Sequence, residues 1–103
     1  MGITIEWVKE RISKNEYYYS RHADTERMND DLTIAEVEAA ILNGRIIEEY
    51  EDTGRGESVL AAGFSNIGKP IHAVCGGRNG WLVFITVYIP TPPKFKNVYV
   101  RGR

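Results

Sequence analysis

Hydrophobic and polar residues follow their clearest pattern between positions 70 and 89. Two apolar runs, 70–75 and 81–89, are rich in β-branched and aromatic residues, a composition typical of β-strands. The residues between them, Gly76-Gly77-Arg78-Asn79-Gly80, favour a turn because glycine adopts positive φ at little cost. The pattern therefore predicts a β-hairpin with a five-residue loop over 76–80.

The two faces of this hairpin differ in polarity. Side chains alternate across a strand, so one face of the second strand is uniformly apolar and consists of Trp81, Val83, Ile85, Val87 and Ile89. The polar groups, His72, Thr86 and Tyr88, fall on the opposite faces of their strands. An odd loop brings these three side chains onto one surface, whereas a loop one residue shorter would place His72 in the core. We therefore predict that His72 faces outward beside Thr86 and Tyr88.

Upstream of the hairpin the period of the apolar residues is helical. It predicts helices over 3–14 and 34–43, and a short helical turn within 22–31. Thr33 and Glu36 form a capping box at the start of the second long helix, and Gly44 predicts a left-handed stop at its end.

Further extended segments complete the pattern. Three consecutive tyrosines favour an extended piece at 17–19, and strands are predicted at 45–50 and 58–65, joined by a turn at 52–56. The predicted fold class is α+β, with two or three N-terminal helices packed on one face of a four-stranded antiparallel sheet. A chain of 103 residues is expected to form a single domain, 1–103, with its core over 3–93 and an edge strand or mobile basic tail over 94–103.

Charge is distributed unevenly along the chain. All 14 acidic residues lie between Glu6 and Glu57, and this part carries a net charge of −7. From Ser58 to Arg103 there are no acidic residues, and six Lys and Arg residues give +6. The low frequency of Glu in strands explains part of this depletion. A strand-rich half with only positive charge also favours a surface that attracts phosphate and other polyanions.

Composition disfavours several functional classes. No apolar run is long enough to span a bilayer, and the N-terminus lacks a signal-peptide pattern. The single cysteine, Cys75, cannot form an intramolecular disulfide, so we expect a cytoplasmic protein. His72 and Cys75 have a spacing seen among metal ligands, but an offset of three on a strand directs their side chains to opposite faces. We therefore expect neither a metal nor a cofactor.

An ordered set of short motifs resembles a family of small bacterial domains of unknown function, over residues 17–93. The motifs are Ser20-Arg21-His22-Ala23, Arg27-Met28, Asn43-Gly44-Arg45-Ile46-Ile47-Glu48, Lys69-Pro70-Ile71-His72-Ala73-Val74 and Thr86-Val87-Tyr88-Ile89-Pro90. Members of that family are often encoded beside small zinc-finger antitoxins, and they are similar to the RelE, BrnT and MqsR toxins, which are metal-independent ribonucleases. The resemblance implies a RelE/BrnT-like fold and an endoribonuclease toxin controlled by a zinc-finger or helix-turn-helix antitoxin.

The resemblance also implies a set of site residues. Cleavage of RNA without a metal needs a base for the ribose 2′-OH, an acid for the leaving oxygen and cations for the charged phosphorane. Histidine suits both proton-transfer roles near neutral pH, and the chain has only His22 and His72. We expect these two to form an acid–base pair or to position phosphate. The other expected site residues are catalytic Arg27 and Tyr88 and substrate-binding Lys69, Thr86, Arg78 and Ser20.

Structural roles are the alternative for the same residues. A histidine on a strand is often a hydrogen-bonded structural residue, which is the alternative for His72. Ser20 can cap the helical turn that follows it. Arg27 can pair with one of the neighbouring aspartates, a surface contact worth about 0–1 kcal/mol.

Three functions therefore remain open from the sequence. The first is the endoribonuclease toxin. The second is a non-catalytic module that binds RNA or a protein through the same basic sheet face. The third is a homodimeric interaction protein whose exposed Tyr and Ile residues form the interface.

Overall fold

Three nine-residue helices precede most of the sheet in the computed structural model, which describes residues 2–51, 54, 56–91, 95–97 and 99–101. They are α1 (Ile5–Ser13), α2 (Arg21–Asn29) and α3 (Ile34–Leu42). Each begins after a hydroxyl side chain that accepts a backbone N–H of the first turn: Thr4 for α1, Ser20 for α2 and Thr33 for α3. The predicted capping box of Thr33 and Glu36 is confirmed. None of these three helices is long and apolar enough to cross a membrane.

Gly44, after α3, does not have the left-handed conformation that we predicted for it, since its φ is not positive. It is instead a point of close packing, because a Cβ atom there would lie 2.3 Å from the Ala62 carbonyl oxygen. Gly63 has the same function on the opposing strand, where a Cβ atom would lie 2.0 Å from the Ala40 carbonyl oxygen. These two glycines allow the backbone of α3 to approach the sheet closely.

The main sheet has five strands and is mixed, which corrects the prediction of four antiparallel strands. The strands are β1 (Tyr17–Tyr19), β2 (Arg45–Tyr50), β3 (Ser58–Phe64), β4 (Pro70–Arg78) and β5 (Trp81–Tyr88), in the spatial order β1-β5-β4-β3-β2. Strands β2 to β5 form the predicted antiparallel meander. The tyrosine segment adds a fifth strand, because β1 pairs in parallel with the first half of β5.

Two further short strands, β6 (Phe95–Asn97) and β7 (Val100–Arg101), pair with each other in a separate two-stranded sheet. The segment 94–103 was predicted to be an edge strand or a mobile tail. Its described part forms this hairpin instead. The predicted turn at 52–56 and the ends of the 94–103 segment include positions outside the described residues.

The β4–β5 hairpin differs from its prediction in a way that determines which residues are buried. Its loop has two residues, Asn79 and Gly80, both with positive φ, rather than five. With this loop alone, His72 would pair with Val87. A β-bulge at Ile85, between the pairs Cys75–Phe84 and Val74–Thr86, shifts the register by one residue, so that His72 pairs with Tyr88.

The bulge also changes the face of β5 that enters the core. Leu82 and Phe84 before the bulge and Val87 after it are fully buried beneath the helices. Trp81, Val83 and Ile85 lie on the opposite face, and Trp81 and Ile85 are exposed. The prediction of a single apolar face from Trp81 to Ile89 is therefore wrong, because the bulge interrupts the strict alternation on which it was based.

The helices α1 and α3 pack on one face of the sheet and form the core with it. The core contains Val8, Ile12, Val37, Ala40 and Ile41 from these helices, Ala23 from α2, Leu32 from the loop after α2, and Val59, Ala61, Ile71, Ala73, Cys75, Leu82, Phe84 and Val87 from the sheet. We call the opposite side the outer face. Three rows of paired residues define it: Arg45–Ala62–His72–Tyr88, Glu48–Leu60–Val74–Thr86 and Tyr50–Ser58–Gly76–Val83.

Candidate functional site

His72 and Tyr88 form a hydrogen-bonded pair on the outer face. Nδ1 of His72 lies 3.2 Å from the Tyr88 hydroxyl, and the two rings meet edge to face with centroids 5.3 Å apart. Tyr88 is half-buried, but His72 is 0% exposed. The predicted face of His72 is therefore correct and its predicted exposure is wrong.

Burial at this end of the outer face extends beyond His72, and Tyr99 forms part of a second layer there. Leu60 and Ala62, which flank His72 on β3, are also buried although they point away from the helices. Tyr99, between β6 and β7, contacts two residues close to Ala62: its ring centroid lies 5.9 Å from that of Phe64, and the Arg45 guanidinium lies 4.0 Å above its ring. The imidazole thus lies behind Tyr88 and is not itself available to a large ligand.

Helix α2 lies along the open edge of β5 and closes it with polar side chains. Strand β1 covers only the first half of that edge. Beyond it, the Ser20 hydroxyl donates to the Ile85 carbonyl oxygen at 3.0 Å. The Val87 amide donates to Glu26 Oε1 at 3.0 Å, and the Ile89 amide donates to Asp30 Oδ2 at 2.9 Å. Side chains of α2 therefore replace the missing neighbouring strand.

His22 lies on the exposed side of α2, and its side chain is 67% exposed. Its Nε2 is 3.3 Å from Glu26 Oε1, the same oxygen that accepts from the Val87 amide. His22 is thereby held at the rim of β5, one residue before Tyr88. His22 and His72 lie on opposite sides of β5 and are connected by a series of contacts. His22 contacts Glu26, and Glu26 accepts from the Val87 amide. The next residue, Tyr88, is hydrogen-bonded to His72.

Arg27 and Lys69 are both occupied by structural contacts. Arg27 binds Asp24 Oδ1 through Nε at 3.1 Å and through a terminal nitrogen at 2.7 Å, and it donates to the Leu32 carbonyl oxygen at 2.8 Å. Lys69 Nζ lies 3.0 Å from Glu36 and 3.2 Å from the Asp31 carbonyl oxygen. The pKa of the Glu36 carboxyl is lowered mainly by its hydrogen bond with the Thr33 backbone amide and secondly by its hydrogen bond with Lys69. Arg27 therefore holds α2 to the loop that follows it. Lys69, which immediately precedes β4, holds that strand to α3 and to the same loop.

The other expected site residues, Thr86, Arg78 and Ser20, lie apart from one another. Thr86 is half-buried and lies beside Tyr88 in the next row. Arg78 is exposed and lies at the far end of the hairpin, opposite Trp81. Ser20 caps α2, as the structural alternative predicted, and in addition bonds to β5. Of the expected site residues, Thr86, Tyr88 and His72 lie together at one end of the outer face.

Tyr17 and Tyr19 of β1 belong to the core side. The rings of Tyr17 and Tyr19 pack against Phe84 with centroid separations of 5.4 and 5.0 Å. The Tyr17 hydroxyl donates to Glu38. Burial, followed by the hydrogen bond to Glu38, raises the pKa of Tyr17, and burial also raises the pKa of Tyr19. These tyrosines therefore anchor the edge strand.

Several important residues were missed by the sequence reasoning. The sequence analysis assigned no site role to Glu26 and Asp30, although their carboxylates accept hydrogen bonds from backbone amides of β5. Their spacing of four residues, which places both on one side of a helix, was the available signal. Within the described residues no cluster of three or more His, Cys, Asp or Glu side chains is arranged to hold a metal ion.

A search with family models matches residues 19–89 to a domain of unknown function, DUF4258. No curated protein and no solved structure matches the chain. The match begins at the last residue of β1 and ends one residue after β5, so it includes both α2 and the strand edge that α2 closes. Because the match covers more than half of the sequence, the chain belongs to the DUF4258 family.

Proposed function

We propose that the protein is a metal-independent endoribonuclease and that Tyr88, supported by His72, is the group that contacts the RNA. The proposal is based on one observation, the hydrogen bond between the fully buried imidazole of His72 and the half-buried phenol of Tyr88 on the outer face. A buried titratable group that is hydrogen-bonded to a partly exposed one at the surface is a candidate for a functional site.

The electrostatics of the outer face support an anionic substrate. Strands β3, β4 and β5 contain no Asp or Glu, so a phosphate at Tyr88 and Thr86 meets no carboxylate of these strands. Hydroxyl groups of Thr86 and Tyr88 can hydrogen-bond phosphate oxygens. The resemblance to RelE, BrnT and MqsR toxins supports RNA as the polyanion.

In the proposed chemistry, Tyr88 and His72 on one side of β5 accept a proton, and His22 on the other side donates one. The ribose 2′-OH gives its proton to the Tyr88 oxygen while the Tyr88 proton passes to Nδ1 of His72. The 2′-oxygen then attacks phosphorus and the bond to the 5′-oxygen breaks. The exposed His22 donates a proton to the leaving 5′-oxygen. The products are a 2′,3′-cyclic phosphate and a 5′-hydroxyl end.

In this proposal Arg27 and Lys69 stabilise the fold rather than the phosphorane, since both are held by carboxylates. We propose that a cognate antitoxin, of the zinc-finger or helix-turn-helix type that the resemblance implies, controls the enzyme by covering the outer face. The fold is proposed to be RelE/BrnT-like on the same basis.

The ion pairs of Arg27 and Lys69 also favour a second candidate function. Arg27 and Lys69, the cations expected to neutralise the phosphate charge, are held by carboxylates, so the alternative is a non-catalytic module that binds RNA through the outer face. Salt-dependent RNA binding without cleavage would distinguish this module from the enzyme.

The test is cleavage of a fluorescently labelled single-stranded RNA in the presence of a chelator. Tyr88→Phe removes one hydroxyl group and should reduce cleavage by about 100-fold or more, as should His72→Asn and His22→Ala. Tyr18→Phe, at an exposed position on β1, is the matched control and should cleave as the wild type does. Full activity of Tyr88→Phe would overturn the assignment.

A further inference from the structure

Helix α2 runs alongside β5 in a fixed register. Glu26 accepts from the Val87 amide, and Asp30, one helical turn later, accepts from the Ile89 amide. Four residues of an α-helix advance about 6 Å and two residues of a strand advance about 6.6 Å, so the helix and the strand keep level along this stretch. Each position of α2 therefore has a neighbour at the same height on β5.

Two sides of α2 are identified by their contacts. Ala23 is fully buried in the core, and the Arg27 guanidinium lies 5.7 Å from the centroid of the Tyr19 ring, so these residues mark the side that faces the core. Glu26 and Asp30 mark the side that faces the edge of β5. The next side round the helix, beyond the strand edge and away from the core, therefore lies beside the outer face of the sheet.

Thr25 and Asn29 occupy this third side of α2. An α-helix turns by about 100° per residue, so both residues lie about 60–100° from Glu26 in the direction away from the core. Both are exposed, and within the part of the chain that the structure describes the Asn29 amide makes no hydrogen bond. By the register given above, Thr25 is level with Thr86 and Asn29 is level with Tyr88.

We infer, on the basis of the proposed function, that Asn29 selects the base of one nucleotide of the RNA. A nucleotide whose ribose 2′-OH meets Tyr88 has its base within reach of the neighbouring Asn29 side chain. A carboxamide offers one acceptor oxygen and two N–H donors, and it can bond the edge of a base through two atoms at once. The selected nucleotide is the one that gives its 2′-OH, and after cleavage it carries the 2′,3′-cyclic phosphate.

The charges around Asn29 favour a base rather than a phosphate at this position. The carboxylates of Glu26 and Asp30 lie on the neighbouring side of α2, and they would repel a phosphate group placed there. A base is uncharged and presents N–H groups to acceptors. The phosphate is therefore expected on the sheet side, at Thr86 and Tyr88, and the base on the helix side.

The experiment identifies the nucleotide that ends in the cyclic phosphate when a random-sequence single-stranded RNA is cleaved in the presence of a chelator. Wild type should prefer particular bases at this position, and Asn29→Ala should reduce the preference by about 10-fold or more. Asn29→Asp, which exchanges the NH₂ group for an oxygen, should change which bases are preferred. Asn66→Ala, at an exposed position in the turn after β3, is the matched control and should keep the wild-type preference.

A binding measurement separates failure of the base selection from failure of the proposed activity. The RNA retained by each protein is sequenced as well, so a base preference is measured even if no RNA is cut. Binding without cleavage, with a preference that Asn29→Ala removes, would contradict the ribonuclease and support base selection by Asn29. Circular dichroism should show that the variants are folded, since alanine is the better helix former at position 29.

Several results would overturn the assignment of Asn29. They are a wild type without any base preference, an Asn29→Ala variant that keeps the wild-type preference, and an Asn66→Ala variant that loses it to the same extent. RNA that is neither bound nor cut by folded wild-type protein would overturn both the base selection and the proposed function.

Discussion

The Tyr88 hydroxyl lies 3.2 Å from Nδ1 of His72, and this hydrogen bond links β5 to β4 on the outer face of the sheet. It exists because the bulge at Ile85 pairs the two residues directly. Since the imidazole is fully buried, we expect Tyr88→Phe to lower the free energy of unfolding by about 1 kcal/mol. Urea denaturation measures this, with Tyr18→Phe as control. An unchanged midpoint for Tyr88→Phe would mean that the bond does not stabilise the fold.

The caps on the edge of β5 should be important for stability. Glu26→Ala and Asp30→Ala each leave a β5 amide without its carboxylate, and we expect a loss of about 1.5–3 kcal/mol for each. Hydrogen exchange should show faster exchange of the Val87 amide in the first variant and of the Ile89 amide in the second.

The matched control for these caps is Glu6→Ala, at an exposed position in the first turn of α1, which should change stability by no more than about 0.5 kcal/mol. Equal destabilisation by Glu6→Ala and Glu26→Ala would argue against a specific capping role for α2.

The close packing of α3 on β3 leads to a third prediction. Gly63→Ala places a Cβ atom 2.0 Å from the Ala40 carbonyl oxygen, a contact that requires the helix to move. We expect a loss of about 3 kcal/mol or more. Gly68→Ala meets no atom and suffers only from its positive φ, so it should lose about 1–2 kcal/mol. Thermal melting of the two variants should therefore rank Gly63→Ala well below Gly68→Ala.

Cys75 provides a prediction about pH and reactivity. Its side chain is fully buried, and burial raises the pKa of the thiol from 9.0 to about 12. The folded state therefore favours the neutral thiol, and this preference stabilises the fold below pH 9 and is lost as the pH rises from about 9 towards 12. Native protein should react with a thiol reagent only as fast as it unfolds. Rapid labelling at pH 8 without denaturant would contradict the burial of Cys75.

Local signals in the sequence were sufficient for most elements. The capping box at Thr33 and Glu36 fixed the start of α3, and the aromatic and β-branched runs identified β4 and β5, because both signals depend on near neighbours. The parallel pairing of β1 with β5 could not be predicted in this way. It depends on where α1 places the chain, and residues 17 and 82 are far apart in the sequence.

The candidate site shows the same limit of local sequence signals, in this case at Ile85. The requirement that His72 and Tyr88 share a face was correct, but the chain meets it with a bulge and a two-residue loop rather than with a five-residue loop. A bulge at Ile85 leaves no mark in the pattern of apolar residues, since Ile85 is as hydrophobic as its neighbours. The burial of His72 involves a second layer on the outer face, which strand alternation cannot reveal.

The most direct measurement of the proposed activity is the chemistry of the RNA ends. Wild-type protein is incubated with a single-stranded RNA and a chelator, and the products are analysed by mass spectrometry. The proposal predicts 2′,3′-cyclic phosphate and 5′-hydroxyl ends, no cleavage of the same sequence with 2′-deoxyribose, and loss of the products with Tyr88→Phe. Intact RNA after incubation with folded wild-type protein, or 3′-hydroxyl and 5′-phosphate ends, would contradict it.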